Sequence, residues 1–158
     1  MRLTYYTDYA LRLLLHLAAT PRRRWTVSEV ARIWGISRHH LTKIAHDLAR
    51  AGLVRTTRGK GGGLELARDP STIRLGELVR RLEPDLHLAA CFEDGSDCRI
   101  REVCGFRTAL LEARAAFLAS LDRWTLADLA APAAELRAAL GLSTEGAPAT
   151  TASKARGR

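Results

Sequence analysis

The sequence has few features that would place it in a membrane or in an oxidising compartment. No apolar run approaches the roughly 20 residues of a spanning helix, and Asp8 and Arg12 interrupt the first apolar segment. We therefore expect no membrane partner and no secretory signal peptide. Only three of the 158 residues are cysteine, which does not suggest a disulfide scaffold. The expected location is the cytoplasm, where thiols stay reduced.

All three cysteines lie in one segment, and the rest of the chain has none. Cys91, Cys98 and Cys104 are separated by six and five residues, in a stretch without helical or strand periodicity. Neither gap matches the roughly two to four residues that separate paired ligands in structural zinc sites. Three thiolates on a loose loop match an iron–sulfur cluster that lacks one protein sulfur. Three unrelated thiols, or one disulfide and a spare thiol, are the alternative.

The sequence also lacks the residue patterns of an enzyme. No arrangement of nucleophile, base and oxyanion-stabilising groups can be traced along it, so we expect a non-enzymatic protein. A glycine-rich segment at 59–63 lacks the Gly-x4-Gly-Lys-Ser/Thr order of nucleotide-binding loops. The 47% hydrophobic residues are nevertheless enough for a globular core.

Acidic residues are scarce in the first half of the chain. Residues 1–74 carry 14 Lys and Arg against 5 Asp and Glu, whereas residues 75–142 carry 8 against 11. A basic half followed by a mildly acidic half indicates a nucleic-acid-binding module joined to a sensing or assembly module. A solvated basic surface is the alternative.

A helix-turn-helix is predicted within the basic half. Thr26 and Glu29 form a capping-box pattern before a short helix, which Gly35 ends. Ser37 is a good N-cap for a second helix over 38–50. Two short helices joined by a three-residue turn that contains glycine are typical of this motif.

The second of these helices has one apolar and one polar face, and a predicted β-hairpin follows it. The hairpin has a basic, glycine-rich tip, as expected of a wing whose backbone approaches the sugar–phosphate wall or enters a narrow minor groove. Side chains near the start of a recognition helix meet base edges in the major groove. The predicted DNA-binding residues are Ser28, Ser37, Arg38, His39, His40, Thr42, Lys43, Arg58, Gly59 and Lys60.

The fold class is therefore mainly α with a small β-hairpin, a winged helix-turn-helix plus a long C-terminal dimerisation helix. Thr7 or Asp8 is placed to cap a core-forming first helix. A long helix after Cys104 has an apolar face too wide for a solitary surface helix, which predicts a homodimer. The expected domains are a DNA-binding domain at 1–83, a cluster-binding loop at 84–104, dimerisation and C-terminal helices at 105–142, and a disordered tail at 143–158.

Several motifs in this order resemble those of the NsrR family, the nitric-oxide-sensing iron–sulfur repressors of bacteria. The resemblance covers about residues 1–130. It lies in Met1-Arg2-Leu3-Thr4 with Thr7-Asp8-Tyr9, Gly35-Ile36-Ser37-Arg38-His39-His40-Leu41, Arg58-Gly59-Lys60-Gly61-Gly62-Gly63, the three cysteines and Leu126-Ala127-Asp128-Leu129.

The resemblance implies a dimeric repressor that binds operator DNA and is released when nitric oxide nitrosylates its cluster. By analogy, Cys91, Cys98 and Cys104 hold a 4Fe-4S cluster, with a 2Fe-2S cluster as the alternative, and Asp8 of the other subunit is the fourth ligand. The related biogenesis regulator IscR has a His three residues after its last cysteine. Arg107 stands at the matching position here, which favours NsrR.

Other functions remain open from the residues alone. One is an iron–sulfur-biogenesis or iron-responsive regulator of the same family. Another is a winged-helix regulator switched by thiols or zinc, without iron. An iron–sulfur electron carrier is a third, but it would have no use for a wing and a basic recognition helix. For Asp8, simple capping of the first helix is the alternative to a ligand role.

Overall fold

The computed structural model describes residues 2–93 and 95–142, so the tail predicted for 143–158 lies outside the described residues. The helices and strands are α1 (Tyr5–Ala19), α2 (Val27–Trp34), α3 (Arg38–Arg50), β1 (Val54–Thr57), β2 (Gly63–Leu66), α4 (Leu75–Leu82), α5 (Gly105–Leu121), α6 (Leu126–Ala130) and α7 (Ala133–Ala139). The mainly helical class with one small hairpin is confirmed. No helix in the described ranges is long and apolar enough to cross a membrane.

The first helix of the helix-turn-helix, α2, has the caps that the sequence predicted. The Thr26 hydroxyl accepts from the Glu29 amide at 3.2 Å, and the Glu29 carboxylate accepts from the Thr26 amide at 2.8 Å. Gly35 ends α2 with φ +64°, a left-handed conformation that glycine adopts without a steric penalty. The chain then turns directly into α3, whose orientation is fixed by these two local signals.

The wing is a two-stranded antiparallel hairpin in which Val54 pairs with Leu66 and Thr57 with Gly63. Trp25 adds an isolated antiparallel bridge to Leu64, with backbone hydrogen bonds of 3.2 and 2.8 Å. Trp25, two residues before α2, is thereby tied to the wing, so the wing and the helix-turn-helix form one unit.

The core lies where α1 crosses the helix-turn-helix. Apolar residues of α1 and α3 are buried against each other and against the wing, which holds the recognition helix from its inner side. The most deeply buried of them are Ala10, Leu13, Leu14, Leu17, Leu41, Ile44 and Leu48.

The predicted start of the first helix was wrong. Helix α1 begins at Tyr5, and Thr4 is the N-cap, because its hydroxyl accepts from the Thr7 amide at 3.2 Å. Thr7 is fully buried and Asp8 lies in the first turn. Asp8 is therefore not the cap that the sequence offered as the alternative to a ligand role.

The C-terminal end of α5 is attached to the winged-helix domain by main-chain and charged contacts. The Leu75 amide donates to the Trp124 carbonyl and the Leu126 amide to the Ile73 carbonyl, both at 2.9 Å. The Arg80 guanidinium donates to both carboxylate oxygens of Asp122, at 2.7 and 2.6 Å. These contacts join the end of α5 to α4 and to the segment before it.

One core side chain makes stability depend on pH. His16 is fully buried between Trp25, whose ring lies edge-on at 4.5 Å, and Trp34, whose indole N–H donates to Nδ1 at 3.3 Å. Its Nε2 has no hydrogen-bond partner in the described part of the chain. Burial, assisted by the Arg23 charge, lowers the pKa of His16 to about 4. The neutral imidazole is therefore the form that fits the core.

We expect wild-type protein to lose about 3 kcal/mol of unfolding free energy at this site as the pH falls from about 6.5 to about 4. The unfolded chain takes up the His16 proton in that interval and the folded chain does not, so stability falls with pH. Urea unfolding across the interval measures the slope. His16→Gln should flatten it, whereas the exposed-site control His46→Gln should not. Equal slopes for wild type and His16→Gln would contradict this reading.

Candidate DNA interface and cysteine loop

The polar face of α3 is accessible along its first two turns. Leu41 and Ile44 are 0% and 1% exposed on the inner side, so the side chains between them must point away from the core. Every recognition-helix residue predicted from the sequence is exposed: Arg38, His39, His40, Thr42 and Lys43. The face combines positive charge with hydrogen-bond donors, as required for contacts with phosphates and base edges.

The two predicted serines lie at helix starts. Ser37 occupies the N-cap position of α3, is exposed, and makes no side-chain capping hydrogen bond among the described residues. Ser28 is exposed in the first turn of α2. The Thr42 hydroxyl donates to the Arg38 carbonyl at 2.8 Å. Helix starts with exposed hydroxyls are suitable for phosphate contacts.

The wing tip is exposed at all three predicted positions, Arg58, Gly59 and Lys60. At the base of the wing, Glu65 pairs with Arg24 at 3.1 Å and with Arg55 at 3.4 Å. These contacts, the hydrogen bond from Arg24 first, lower the pKa of Glu65. Glu65 therefore partly compensates the positive charge of Arg24 and Arg55 at the base of the wing. Its ion pairs do not include the tip residues Arg58 and Lys60.

Arg58→Ala and Lys60→Ala should each weaken DNA binding on any sequence and reduce the salt slope by about 1, because each removes one counterion-releasing phosphate contact. Fluorescence anisotropy with duplex DNA at several salt concentrations measures both quantities. Arg55→Ala is the matched control, since that arginine is already paired with Glu65. An unchanged slope in Arg58→Ala and Lys60→Ala would remove the tip from the interface.

The cysteine loop runs from the end of α4 to the start of α5. In the described part of this loop, the regular structure consists of single 3₁₀ turns at Ala90–Phe92 and Arg101–Val103. Cys91 and Cys104 are half-buried and Cys98 is exposed, all as free thiols. Cys104 is the N-cap of α5, and its Sγ accepts from the Arg107 amide at 3.4 Å.

The donor set fits an iron–sulfur cluster in chemistry but is not assembled in this conformation. Three reduced thiols on one loop supply the soft ligands that such clusters require. Within residues 2–93 and 95–142, however, no three His, Cys, Asp or Glu side chains come close enough together to hold a metal ion. Cys91, Cys98 and Cys104 therefore lie on one loop, but the three do not form a metal-ligand group.

Within one chain, Asp8 forms no group of three potential metal ligands with these thiols among the described residues. Its carboxylate pairs with Arg12 one turn later, at 2.8 Å, and both side chains are 40% exposed. The sequence reading missed Arg12, although the spacing of four residues between an acid and a base on a helix was the available signal. Asp8 thus lies on an accessible face of α1, where its carboxylate is partly covered by the Arg12 side chain.

A helix-turn-helix with an exposed basic face, followed by a wing, defines a winged helix-turn-helix transcriptional regulator. A model of the Rrf2 family, described as an iron-dependent transcriptional regulator, matches residues 3–132. The chain belongs to the Rrf2 family.

The resemblance to NsrR is confirmed by relatives that cover most of the chain. The HTH-type transcriptional regulator NsrR of Geobacillus kaustophilus is 45% identical over 142 residues, which is 89% of this chain and 97% of the relative. That of Bacillus subtilis is 44% identical over 131 residues, which is 82% of this chain and 90% of the relative. These relatives are named as regulators, in agreement with the expectation that the chain is not an enzyme.

Solved structures of the family share the fold. The cysteine regulator CymR of B. subtilis superposes with a TM-score of 0.68 at 27% identity, covering 84% of this chain and 98% of its own. IscR of T. potens gives a TM-score of 0.69 at 25% identity, covering 87% and 91%. The winged-helix fold predicted from the sequence is confirmed by these neighbours.

Proposed function

We propose that this regulator is a nitric-oxide-responsive repressor that binds double-stranded operator DNA in the cytoplasm as an iron–sulfur homodimer. The observation that carries the proposal is the position of all three cysteines on one loop, between the winged-helix domain and α5. The NsrR names of its relatives and the iron-dependent description of its family support the same reading. Residues 1–83 form the DNA-binding domain in this proposal, 84–104 the sensor loop and 105–142 the dimerisation part.

The cluster would be held by Cys91, Cys98 and Cys104 of one subunit and Asp8 of the other, with 4Fe-4S preferred over 2Fe-2S. When bound, such a cluster supplies iron that reacts with nitric oxide, most readily where a carboxylate replaces a thiolate. An exposed ion pair at this helical spacing is worth only about 0.3–0.5 kcal/mol. Asp8 can therefore exchange Arg12 for another partner at small cost.

Helix α1 connects Asp8 to the recognition helix. The Tyr6 hydroxyl, two residues before Asp8, donates to Asp47 of α3 at 2.7 Å. Burial first, and then the hydrogen bond and charge of Asp47, raise the pKa of Tyr6 to about 12, so the donor keeps its proton. Together with the packing of α1 on α3, this bond transmits a movement of α1 to the DNA-reading face.

The homodimer is supported by the exposure of α5. Phe106 is 69% exposed, and none of the 17 residues of α5 is fully buried in the single chain. A helix of that length extends about 25 Å and needs a partner for its apolar side. Two copies would also place two recognition helices on two half-sites of an operator.

Protein isolated without oxygen tests the cofactor directly. We expect iron and acid-labile sulfide in the purified protein, and a visible spectrum that changes when nitric oxide is added. Zinc, or reduced thiols without metal, would replace the proposal by a thiol- or zinc-switched regulator. A cluster that ignores nitric oxide but is lost under iron limitation would indicate an iron-responsive or biogenesis regulator instead.

The ligand role of Asp8 is separable from its ion pair. Asp8→Ala and Arg12→Ala both break the 2.8 Å contact, but only Asp8→Ala removes the proposed ligand. We expect both variants to assemble a cluster, on three thiolates alone in Asp8→Ala and with Asp8 still bound in Arg12→Ala. Only Asp8→Ala should change the visible spectrum and the rate of reaction with nitric oxide. Identical behaviour of the two variants would reduce Asp8 to the partner of Arg12.

A further inference from the structure

Phe92 is the point at which the cysteine loop is attached to the rest of the molecule. In the described part of the loop, residues 84–93 and 95–104, it is the one buried side chain, with 8% exposure. It adjoins Cys91 in sequence and lies outside the main hydrophobic core. The loop is therefore fastened through a separate contact, beside its first thiol.

Two arginines of α5 hold this ring. The guanidinium carbons of Arg107 and Arg114 lie 5.6 and 5.5 Å from the Phe92 ring centroid, within cation–π range. The two arginines are seven residues apart, which places them on one side of the helix. The His87 ring stacks against Phe92 at 6.4 Å. The Phe92 ring thus contacts α5 through two separate turns.

Arg107 also contacts the other end of the loop. Its backbone amide donates to Cys104 Sγ at 3.4 Å, while its guanidinium faces the ring beside Cys91. The buried Arg107 Nε has no hydrogen-bond partner among the described residues. The guanidinium group that contains it lies over the Phe92 ring instead. One residue of α5 therefore links the segments that carry the first and last cysteines.

We propose that Phe92, held by Arg107 and Arg114, is a positioning residue that fixes the Cys91 segment on the helix capped by Cys104. This Phe92 anchor leaves the exposed Cys98 as the one thiol of the three whose segment it does not hold. Ordering one segment instead of three lowers the entropic cost of binding. The anchor itself is a property of the apo-chain, whereas its purpose in cluster binding rests on the proposed function.

Hydrogen exchange in the apo-protein tests the anchor. The Phe92 and Glu93 amides donate to the Ala89 and Ala90 carbonyls at 3.0 and 3.1 Å. Phe92→Ala should speed their exchange about tenfold, because local opening no longer exposes a buried aromatic ring. Phe92→Tyr should stay near wild type and Phe92→Leu should fall between, since leucine keeps apolar bulk but lacks a π-face. Unchanged exchange in Phe92→Ala would overturn the anchor.

Separate variants test the two arginines in the cation–π contact with Phe92. Arg107→Gln with Arg114→Gln should speed the same amides, whereas Arg99→Gln, which removes an exposed charge beside Cys98, should not. The Leu41 amide of α3 reports that the winged helix is intact in each variant. Equal effects of the double variant and Arg99→Gln would assign any change to net charge and contradict the cation–π contact.

Iron release separates the anchor from the proposed function. With a chelator present, holo-protein carrying Phe92→Ala or the double arginine change should lose iron about tenfold faster than wild type, and Phe92→Tyr should restore retention. Fast exchange with unchanged iron release would refute the positioning role. If Phe92→Ala exchanges faster but the wild-type protein never carries iron, the anchor is supported and the proposed function is refuted.

Discussion

Replacement of Cys91, Cys98 or Cys104 by Ala is expected to abolish iron and acid-labile sulfide in the isolated protein. Each thiol supplies one of only three sulfur ligands, and the sequence contains no spare cysteine. The fold should persist, because none of the three thiols is buried in the hydrophobic core. Elemental analysis and visible spectra of anaerobically purified variants measure the loss.

Two controls make this result specific to the thiols. Ser96→Ala changes a half-buried residue of the same loop without removing sulfur and should retain the cluster. Cys104→Ser keeps an acceptor at the N-cap of α5, so its loss of iron would not reflect a missing cap. Wild-type iron content in any Cys→Ala variant would remove that cysteine from the ligand set.

The recognition helix carries the second large effect. Arg38→Ala and His39→Ala should each cost about 1–3 kcal/mol of operator binding while changing binding to random DNA much less, since base contacts carry sequence information. Both residues are exposed in the first turn of α3. Arg50→Ala, an exposed change at the opposite end of α3, is the control. Equal losses on operator and random DNA would make Arg38 and His39 phosphate contacts.

The elements that local signals specify were predictable. The capping box of Thr26 and Glu29 and the left-handed Gly35 depend on neighbours in sequence, and both occur as predicted. The apolar positions of α3 from Leu41 to Leu48 repeat at helical spacing, which determined the outward face. The same local reasoning located the wing, because a glycine-rich turn between two short apolar runs has few other solutions.

Contacts between distant segments were not predictable from these patterns. The start of α1 was misplaced because Thr4, Thr7 and Asp8 are all competent caps, and the choice depends on packing. The bridge from Trp25 to Leu64 spans the whole helix-turn-helix. The arginines around Phe92 likewise lie on another element, so the spacing of the cysteines gave no indication of the anchor.

The number of cysteines was more informative than their arrangement. Three thiols in an otherwise cysteine-free chain indicate a shared site, yet no three potential ligands among the described residues lie close enough together to hold a metal ion. Ligand clusters depend on the metal for their final geometry, because bringing thiolates together without it costs entropy and charge repulsion. In the proposed function, cluster binding would therefore rearrange this loop, and we expect the Phe92 contact to persist when it does.

In the proposed function, the state of the cysteine loop controls operator binding. The most direct measurement is a titration of operator DNA into anaerobic holo-protein, the same protein after nitric oxide, and apo-protein, all at one salt concentration. We expect tight, sequence-specific binding by untreated holo-protein, and loss of that specificity after nitric oxide or removal of the cluster. Strong specific binding by apo-protein that nitric oxide leaves unchanged would contradict it.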